Sequence, residues 1–164
     1  MITAGKCGGR LIRDHWQSKT AGAHTEVVEH RRLASRGTFE ADVAIRFGEF
    51  VKSYDASKDY VAVAEADGRI VGSIVVDGES EELALIRWFL VHPDMRGRGV
   101  GRELINGALA FCREHGFKTV RLWTMNEFKA AVHLYKQAGF VCIHEGQREI
   151  WGVTRTEQEY ELNL

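Results

Sequence analysis

The feature that most constrains the fold is an almost continuously apolar run, LALIRWFLV from Leu83 to Val91, which leads through the single proline, Pro93, into RGRGVG. A strand with so few polar residues is normally buried on both faces, so we expect it at the centre of a sheet. From Val100 onwards the pattern becomes that of an amphipathic helix with Gly116 as its terminator. The sequence therefore predicts a central strand, a glycine loop and a helix in succession.

Periodicity predicts further elements on both sides of this unit. A short helix is expected from His24 to Ala34, and a longer one in TFEADVAIRFGEFVKSY. The apolar face of the longer helix comprises Phe39, Val43, Phe47, Phe50 and Val51. The dipeptide Asp67-Gly68, between two β-rich runs, predicts a hairpin. After the glycine loop and its helix, KTVRLWT, FVCIHE and EYELNL read as strands, and FKAAVHLYKQAG reads as a helix.

Composition limits the class of protein. The chain of 164 residues has a net charge of -1 and 45% apolar residues, which is typical of one globular domain. We expect that domain to span 1–164, with 1–23 weakly patterned and peripheral. The absence of a basic excess, a signal-peptide core and a long apolar segment predicts a cytoplasmic protein without a nucleic-acid or membrane partner. The scattered histidines and cysteines predict no metal site.

The glycine loop is typical of a phosphate site. A helix that opens from such a turn has several main-chain N–H groups without an intrahelical partner, and its dipole favours an anion there. Gly97, Gly99 and Gly101 leave room for phosphate oxygens, and Arg96, Arg98 and Arg102 add positive charge. A turn in which only one glycine matters is the structural alternative.

The loop differs from two other phosphate motifs. The dinucleotide fingerprint GxGxxG would need glycine at Arg102 and an acidic residue at the end of the next strand, TVRLWT, which has none. The nucleotide P-loop needs Gly-Lys followed by Ser or Thr, which is also absent.

The pattern RxxGxG, with Arg96, Gly99 and Gly101 behind FLVHPDM, resembles the acetyl-CoA signature of the GNAT superfamily of N-acetyltransferases. A second family element is matched by Ala131, Tyr135 and the Gly139-Phe140 pair in AAVHLYKQAGF. The two elements together cover residues 83–141. The resemblance implies a mixed α/β fold of the acyl-CoA N-acyltransferase type, with a mostly antiparallel central sheet of about six or seven strands flanked by helices.

The wider chain is similar to the GNAT domain often found fused behind a MarR-type transcription regulator. The stretches that carry this similarity are FEADV, GEFV, DGRIVGS, LIRWFLVHPDMRGRGVG and LW. We expect the chain to represent the acetyltransferase module alone.

The resemblance implies transfer of an acetyl group from acetyl-CoA, the cosubstrate, to a primary amine of a small molecule, an amino acid or a protein. In this family a bulge in the central strand leaves main-chain groups free for the pantetheine arm, and by register these belong to Phe89 and Val91. The Phe89 N–H would stabilise the oxyanion, and Tyr135 would protonate the departing thiolate. A purely structural Tyr135 is the alternative.

The expected cofactor contacts lie in three segments. They are Phe89, Leu90 and Val91; Arg96, Gly97, Arg98, Gly99, Val100, Gly101 and Arg102; and Asn126 and Tyr135. The family often has asparagine seven residues before the tyrosine. Phe128 occupies that position here, so Asn126, two residues earlier, is the candidate for this cofactor contact.

The acceptor and the general base stay open. Glu79, Glu81, Glu82 and His92 are candidates for the base, although the three glutamates also fit a solvated turn. Arg87, a charge inside an apolar strand, could hold a substrate carboxylate or form a structural ion pair. A catalytically weak acyl-CoA sensor, a module recruited by a separate regulator, and a homodimer are further alternatives.

Overall fold

The computed structural model describes residues 6–7, 10–14, 38–150 and 152–164. The helix expected at 24–34 and most of 1–23 lie outside the described residues. Within 1–23 the structure has two strands, β1 and β2, which the sequence pattern did not predict. None of the described helices has the length and apolarity needed to cross a membrane.

Three α-helices, one 3-10 turn and eight strands make up the described part of the chain. The strands are β1 (Lys6–Cys7), β2 (Arg10–Asp14), β3 (Tyr60–Ala66), β4 (Arg69–Gly78), β5 (Leu83–Val91), β6 (Thr119–Met125), β7 (Val141–Ile150) and β8 (Val153–Asn163). The helices are α1 (Thr38–Ser53), α2 (Val100–Glu114) and α3 (Lys129–Gln137), and the 3-10 turn is Pro93–Met95.

The strands form one mixed sheet in the order β1-β2-β3-β4-β5-β6-β8-β7. Its neighbouring strands are antiparallel except for β5 and β6, which run parallel. The predicted fold class, a mostly antiparallel α/β sheet flanked by helices, is confirmed. The described sheet has eight strands, and one of them, β1, is only two residues long.

The hairpin predicted around Asp67-Gly68 joins β3 and β4. Both residues have positive φ, 50° at Asp67 and 72° at Gly68, which is the conformation that a two-residue hairpin turn matching the sheet twist requires. The paired strand ends are Ala66 and Arg69. The local sequence is sufficient to predict this turn because few dipeptides tolerate positive φ at both residues.

The core lies between the sheet and helix α2. The predicted apolar face of α2 is buried, and Gly101 is buried with it. The helix ends where Gly116 adopts a φ of 82°, as predicted for a glycine terminator. The buried face is made of Val100, Leu104, Ile105, Ala108, Leu109 and Cys112.

Helix α1 confirms the predicted element but only part of its predicted face. Phe50 is buried, whereas Val51 is 36% exposed and Ile45 is 61% exposed. Val51 was therefore wrongly assigned to the buried face. The Phe39 side chain lies outside the described residues.

The central strand β5 is buried along only part of its length. Ala84, Leu85 and Ile86 are buried, but residues 87–91 are only half-buried. The prediction that the whole run is covered on both faces was wrong. The physical reason is that β5 pairs with β6 only from Leu83 to Leu85 and then diverges from it. The apolar side chains beyond that point line a cavity.

Candidate functional site

A cavity of ≈ 1170 Å³ opens at the carboxyl end of β5, where β5 and β6 separate. One part of its wall is the glycine loop with the start of α2, and another is helix α3. Residues of α1 and of the β7–β8 hairpin complete the wall. The cavity is thus bounded by the three described α-helices and by the split in the sheet, a common place for a ligand in α/β folds.

The glycine loop presents uncapped main-chain amides to this cavity. Gly97 and Gly99 have φ of 69° and 85°, a conformation that side chains other than glycine rarely adopt. Gly99 is the N-cap of α2 and supplies no side-chain cap. The first helical bond is from the Glu103 N–H to the Gly99 carbonyl, at 3.0 Å. The amides of residues 99–102 therefore have no intrahelical acceptor, and the helix dipole makes this end attractive to an anion.

Gly101 has a different role from the one expected. A Cβ at this position would lie 2.9 Å from Leu134 Cδ1 and 3.2 Å from Phe89 Cζ. The glycine therefore permits close packing of α2 against α3 and β5. At Gly97 and Gly99 the positive φ is the reason for glycine, and a Cβ at either position would meet no atom closer than 3.8 Å.

Two of the three loop arginines reach the cavity. Arg96 and Arg102 line it, and Arg98 does not, although all three are exposed. Because Arg98 does not line the cavity, the structure offers no support for it as a cofactor contact.

A β-bulge interrupts β5 directly beside the cavity. Ser73 pairs with Leu90 and Val75 pairs with Arg87, so β5 has one more residue than β4 between these pairs. Trp88, inside the bulge, has a φ of 45°, which is strained for a non-glycine residue. Trp88 packs on α1, whereas Phe89 packs towards α3. The side chains of Trp88 and Phe89 thus contact helices on opposite faces of the sheet.

The free edge of β5 carries unpaired main-chain groups. The His92 N–H donates to the Val71 carbonyl at 2.8 Å, which fixes the ladder with β4. Alternation along an antiparallel ladder directs Leu90 to β4 as well, and directs the polar groups of Val91 towards the β6 side. On that side β5 has no strand partner beyond Leu85. Phe89, Leu90 and Val91 all line the cavity.

Tyr135 lies on the cavity wall contributed by α3. Its ring is 5% exposed, and the ring centroids of Phe89 and Tyr135 are 5.8 Å apart. None of the described groups hydrogen-bonds to its hydroxyl. Burial raises the pKa of Tyr135 well above its ordinary value near 10, so the hydroxyl stays protonated at neutral pH and can donate a proton.

Arg87 forms an ion pair and also lines the cavity. Its Nε lies 2.7 Å from Asp77 Oδ2, and both side chains are partly exposed. The terminal guanidinium nitrogens have no partner among the described residues. Burial raises the pKa of Asp77, and the charge of Arg87 partly offsets this. The structural ion pair exists, and the terminal nitrogens remain available to an anionic group.

The structure changes the set of candidate bases. Glu79, Glu81 and Glu82 are exposed in the turn before β5, at the opposite end of that strand from the cavity. His92 does not line the cavity, and its Nδ1 accepts a hydrogen bond from the Asp94 amide at 3.2 Å. These four predictions have no support from the geometry.

Acidic groups that the sequence did not single out do line the cavity. They are Asp42, Glu127, Glu149 and Glu157. Three of them form ion pairs, with N–O distances of 2.8, 3.3 and 3.1 Å for the pairs of Asp42, Glu127 and Glu157, respectively. No pattern in the sequence joins these positions, because they come from α1, the β6–α3 loop, β7 and β8.

Asn126 is not among the residues that line the cavity. Its amide N–H donates to the Thr156 carbonyl at 3.0 Å. Phe128, which holds the position where the family often has asparagine, does line the cavity. The structure therefore offers no support for Asn126 as a cofactor contact.

A sequence profile described as the Acetyltransferase (GNAT) family matches residues 24–140, which is most of the chain. The chain belongs to the GNAT family of acetyltransferases. The matched range includes the glycine loop, the bulged strand and Tyr135, so it contains most of the cavity wall apart from the residues of the β7–β8 hairpin.

Curated relatives of this GNAT chain are also acetyltransferases. It is 38% identical over 89 residues to an uncharacterised N-acetyltransferase of Methanocaldococcus jannaschii, covering 51% of this chain and 39% of the relative. It is 34% identical over 137 residues to the mycothiol acetyltransferase of Cellulomonas flavigena, covering 77% of this chain and 37% of the relative. The chain thus spans about two fifths of the length of these two relatives.

Solved structures share the fold. A GNAT-family acetyltransferase from Desulfovibrio desulfuricans matches with a TM-score of 0.71 at 20% identity, covering 94% of this chain and 98% of the other. A GNAT-family acetyltransferase from Elizabethkingia anophelis, solved with acetyl-CoA bound, matches with a TM-score of 0.62 at 16% identity, covering 96% and 100%.

Proposed function

We propose that this GNAT chain is an N-acetyltransferase that moves the acetyl group of acetyl-CoA to a primary amine by direct attack in a ternary complex. The observation that carries the proposal is that uncapped amides at the start of α2 and the unpaired edge of β5 open into one cavity. The first suits a diphosphate, and the second suits the amide groups of a pantetheine arm.

The proposed placement of acetyl-CoA follows from these two features. The diphosphate lies on the amides of residues 97–102, with Arg96 and Arg102 beside it. The pantetheine extends along Val91 and Phe89, as an added strand would. The thioester then lies beside the bulge, and the diphosphate occupies the position of a helix cap that no side chain supplies.

The chemistry needs three events at the thioester. The acceptor nitrogen attacks the carbonyl carbon, and the electron pair of the C=O bond moves to oxygen. The Phe89 N–H stabilises this oxyanion, a type of contact whose loss costs about 3 kcal/mol. The electron pair of the oxyanion then re-forms the C=O bond as the C–S bond breaks, and Tyr135 donates a proton to the departing thiolate. Burial raises the pKa of Tyr135, so its hydroxyl is protonated at neutral pH but is a weaker acid than that of a free tyrosine.

The acceptor enters from the side of α1 and the β7–β8 hairpin. Arg87 offers its terminal nitrogens to an anionic group on the acceptor, while its Nε lies within ion-pair distance of Asp77. Trp88 and Trp123 supply aromatic surface in the same cavity. An amine that also bears a carboxylate, such as an amino acid, matches this arrangement.

A proton must also leave the attacking amine. Glu149 is the strongest candidate among the acidic side chains of the cavity, because it is the one without an ion pair among the described residues. It acts directly or through a water molecule. The pairing of Asp42, Glu127 and Glu157 favours the second candidate function, an acyl-CoA sensor with weak transfer, because an ion-paired carboxylate is a poor base.

Two measurements test the proposal. A ligand that binds only the folded protein stabilises it by about 2.7 kcal/mol at one hundred times the dissociation constant. Acetyl-CoA at that concentration should therefore produce a detectable thermal shift. Release of free thiol in the presence of a panel of amines measures transfer. No thermal shift with millimolar acetyl-CoA contradicts both functions, and a shift without amine-dependent thiol release supports the sensor.

A further inference from the structure

Ser73 on β4 makes a hydrogen bond to the one carbonyl at the centre of the β5 bulge. Its Oγ lies 3.2 Å from the Trp88 carbonyl oxygen and donates to it. The paired positions of the ladder pass from Ser73 and Leu90 to Val75 and Arg87, leaving out Trp88 and Phe89. A side-chain hydroxyl thus takes the place of a ladder bond where the regular pairing is interrupted.

The geometry of the peptide links this bond to the cavity. The peptide between Trp88 and Phe89 is trans, so its C=O and N–H point in opposite directions. When Ser73 holds the carbonyl on the β4 side, the Phe89 N–H points to the β6 side. That is the side on which β5 has no strand partner after Leu85.

The same peptide unit is anchored through the Trp88 side chain. The Trp88 ring lies 5.2 Å from the Phe47 ring and 5.6 Å from the Phe50 ring, both on α1. Positive φ at Trp88 is unfavourable by itself, so it persists because surrounding contacts impose it. The rings restrain the residue from one face, and Ser73 fixes the orientation of its carbonyl.

We propose that Ser73 is a positioning residue for acetyl transfer, because it holds the Trp88–Phe89 peptide with its N–H directed at the thioester oxygen. The inference rests on the proposed function, in which that N–H stabilises the oxyanion. A carbonyl that accepts a hydrogen bond also polarises its own peptide and makes its N–H a better donor. Ser73 therefore influences both the direction and the strength of the oxyanion contact without touching the substrate.

The experiment compares three variants of the full chain. Ser73→Ala removes the hydroxyl, and Ser73→Thr retains it. Ser53→Ala is the matched control, since Ser53 Oγ also donates to main-chain carbonyls at 3.2 Å but lies on α1 and outside the cavity. The kinetic readouts are kcat and the KM for acetyl-CoA. The structural readout is the carbonyl stretching band of bound acetyl-CoA labelled with ¹³C at the thioester carbon.

The expected effect is on turnover and not on binding. Ser73→Ala lowers kcat about tenfold, less than the hundredfold or more that complete loss of an oxyanion donor costs. The KM for acetyl-CoA changes by less than about twofold, because the diphosphate and pantetheine contacts remain. The carbonyl band moves to higher frequency as the thioester becomes less polarised. Ser73→Thr restores both readouts, and Ser53→Ala leaves them as in the wild type.

The outcomes separate the two levels of the proposal. If the thioester carbonyl band has the same frequency in acetyl-CoA bound to the wild type as in free acetyl-CoA, the oxyanion role of the Phe89 N–H is contradicted. If the wild type shows the displacement and Ser73→Ala leaves both the band and kcat unchanged, only the role of Ser73 is overturned. A fall in kcat that Ser73→Thr does not restore, with no change in the band, also overturns it.

Discussion

Phe89 of β5 and Tyr135 of α3 face each other with their ring centroids 5.8 Å apart. The peptide that precedes Phe89 and the hydroxyl of Tyr135 are thereby brought to one cavity from two separate elements. Gly101 lies beside Phe89 and beside Leu134, the residue before Tyr135, since a Cβ there would contact both of these side chains. The packing of these residues sets the distance between the proposed oxyanion donor and the proposed acid.

Substitution of Tyr135 by phenylalanine separates chemistry from packing. Because none of the described groups bonds to its hydroxyl, Tyr135→Phe should change the free energy of unfolding by less than about 1 kcal/mol. Turnover should fall by about 10 to 100-fold, since the thiolate loses its proton donor. Steady-state assays and urea denaturation measure the two effects.

The matched control for that variant is Tyr160→Phe. Tyr160 is also buried, its ring lies 6.2 Å from that of Tyr135, and its hydroxyl donates to Gln158 Oε1 at 3.3 Å. This variant should retain turnover. Unchanged kcat in Tyr135→Phe would end the assignment of Tyr135 as the acid.

The raised pKa of Tyr135 predicts a specific loss of stability in alkali. An unfolded tyrosine ionises near pH 10, and burial keeps the folded one neutral to higher pH. Its contribution to stability is therefore present below about pH 10 and is lost as pH rises towards the folded pKa. Between pH 10 and 11 the free energy of unfolding of the wild type should fall by up to about 1.4 kcal/mol more than that of Tyr135→Phe, as measured by urea denaturation. Parallel curves for the two proteins would contradict this.

The sequence predicted the secondary-structure elements of this site better than it predicted which side chains line the cavity. Strand β5, the glycine loop and helix α2 follow from local patterns, because apolar runs and glycine spacing record burial and backbone conformation. The family resemblance implied a bulge in β5 with free main-chain groups, but the apolar pattern alone does not show that β6 diverges from β5, so residues 87–91 were expected to be covered on both faces. The acids of the cavity were missed for the same reason, since α1, β7 and β8 bring them together only in the folded chain.

Substitution of Arg87 tests the acceptor side of the cavity. Arg87→Gln should raise the KM for amines that carry a carboxylate about tenfold, the equivalent of about 1.4 kcal/mol of lost charge-assisted bonding. Amines without a carboxylate should be nearly unaffected. Arg121→Gln is the control, because the Arg121 Nε also forms an ion pair, with Glu161 Oε2 at 2.7 Å, but Arg121 does not line the cavity. An equal change in KM for both classes of amine would rule out carboxylate recognition by Arg87.

A methyl group at Gly101 should be costly because the space is occupied. The added Cβ would lie 2.9 Å from Leu134 Cδ1, and overpacking of this kind costs about 1–3 kcal/mol. Gly101→Ala should lower the midpoint of urea denaturation accordingly. Gly48→Ala, on α1 with nothing within 4 Å of its Cβ, should instead stabilise by about 0.5–1 kcal/mol. Equal stability of the two variants would show that α2 and α3 are not closely packed at Gly101.

The central claim is that the main-chain amides at the start of α2 bind the diphosphate of coenzyme A. A titration of ¹⁵N-labelled protein with coenzyme A, followed by amide chemical shifts, measures this directly. The account predicts that the amides of Gly97, Gly99 and Gly101 shift most, together with those of Phe89 and Val91. Saturable binding that leaves these five amide signals in place, or the absence of binding at millimolar coenzyme A, would contradict it.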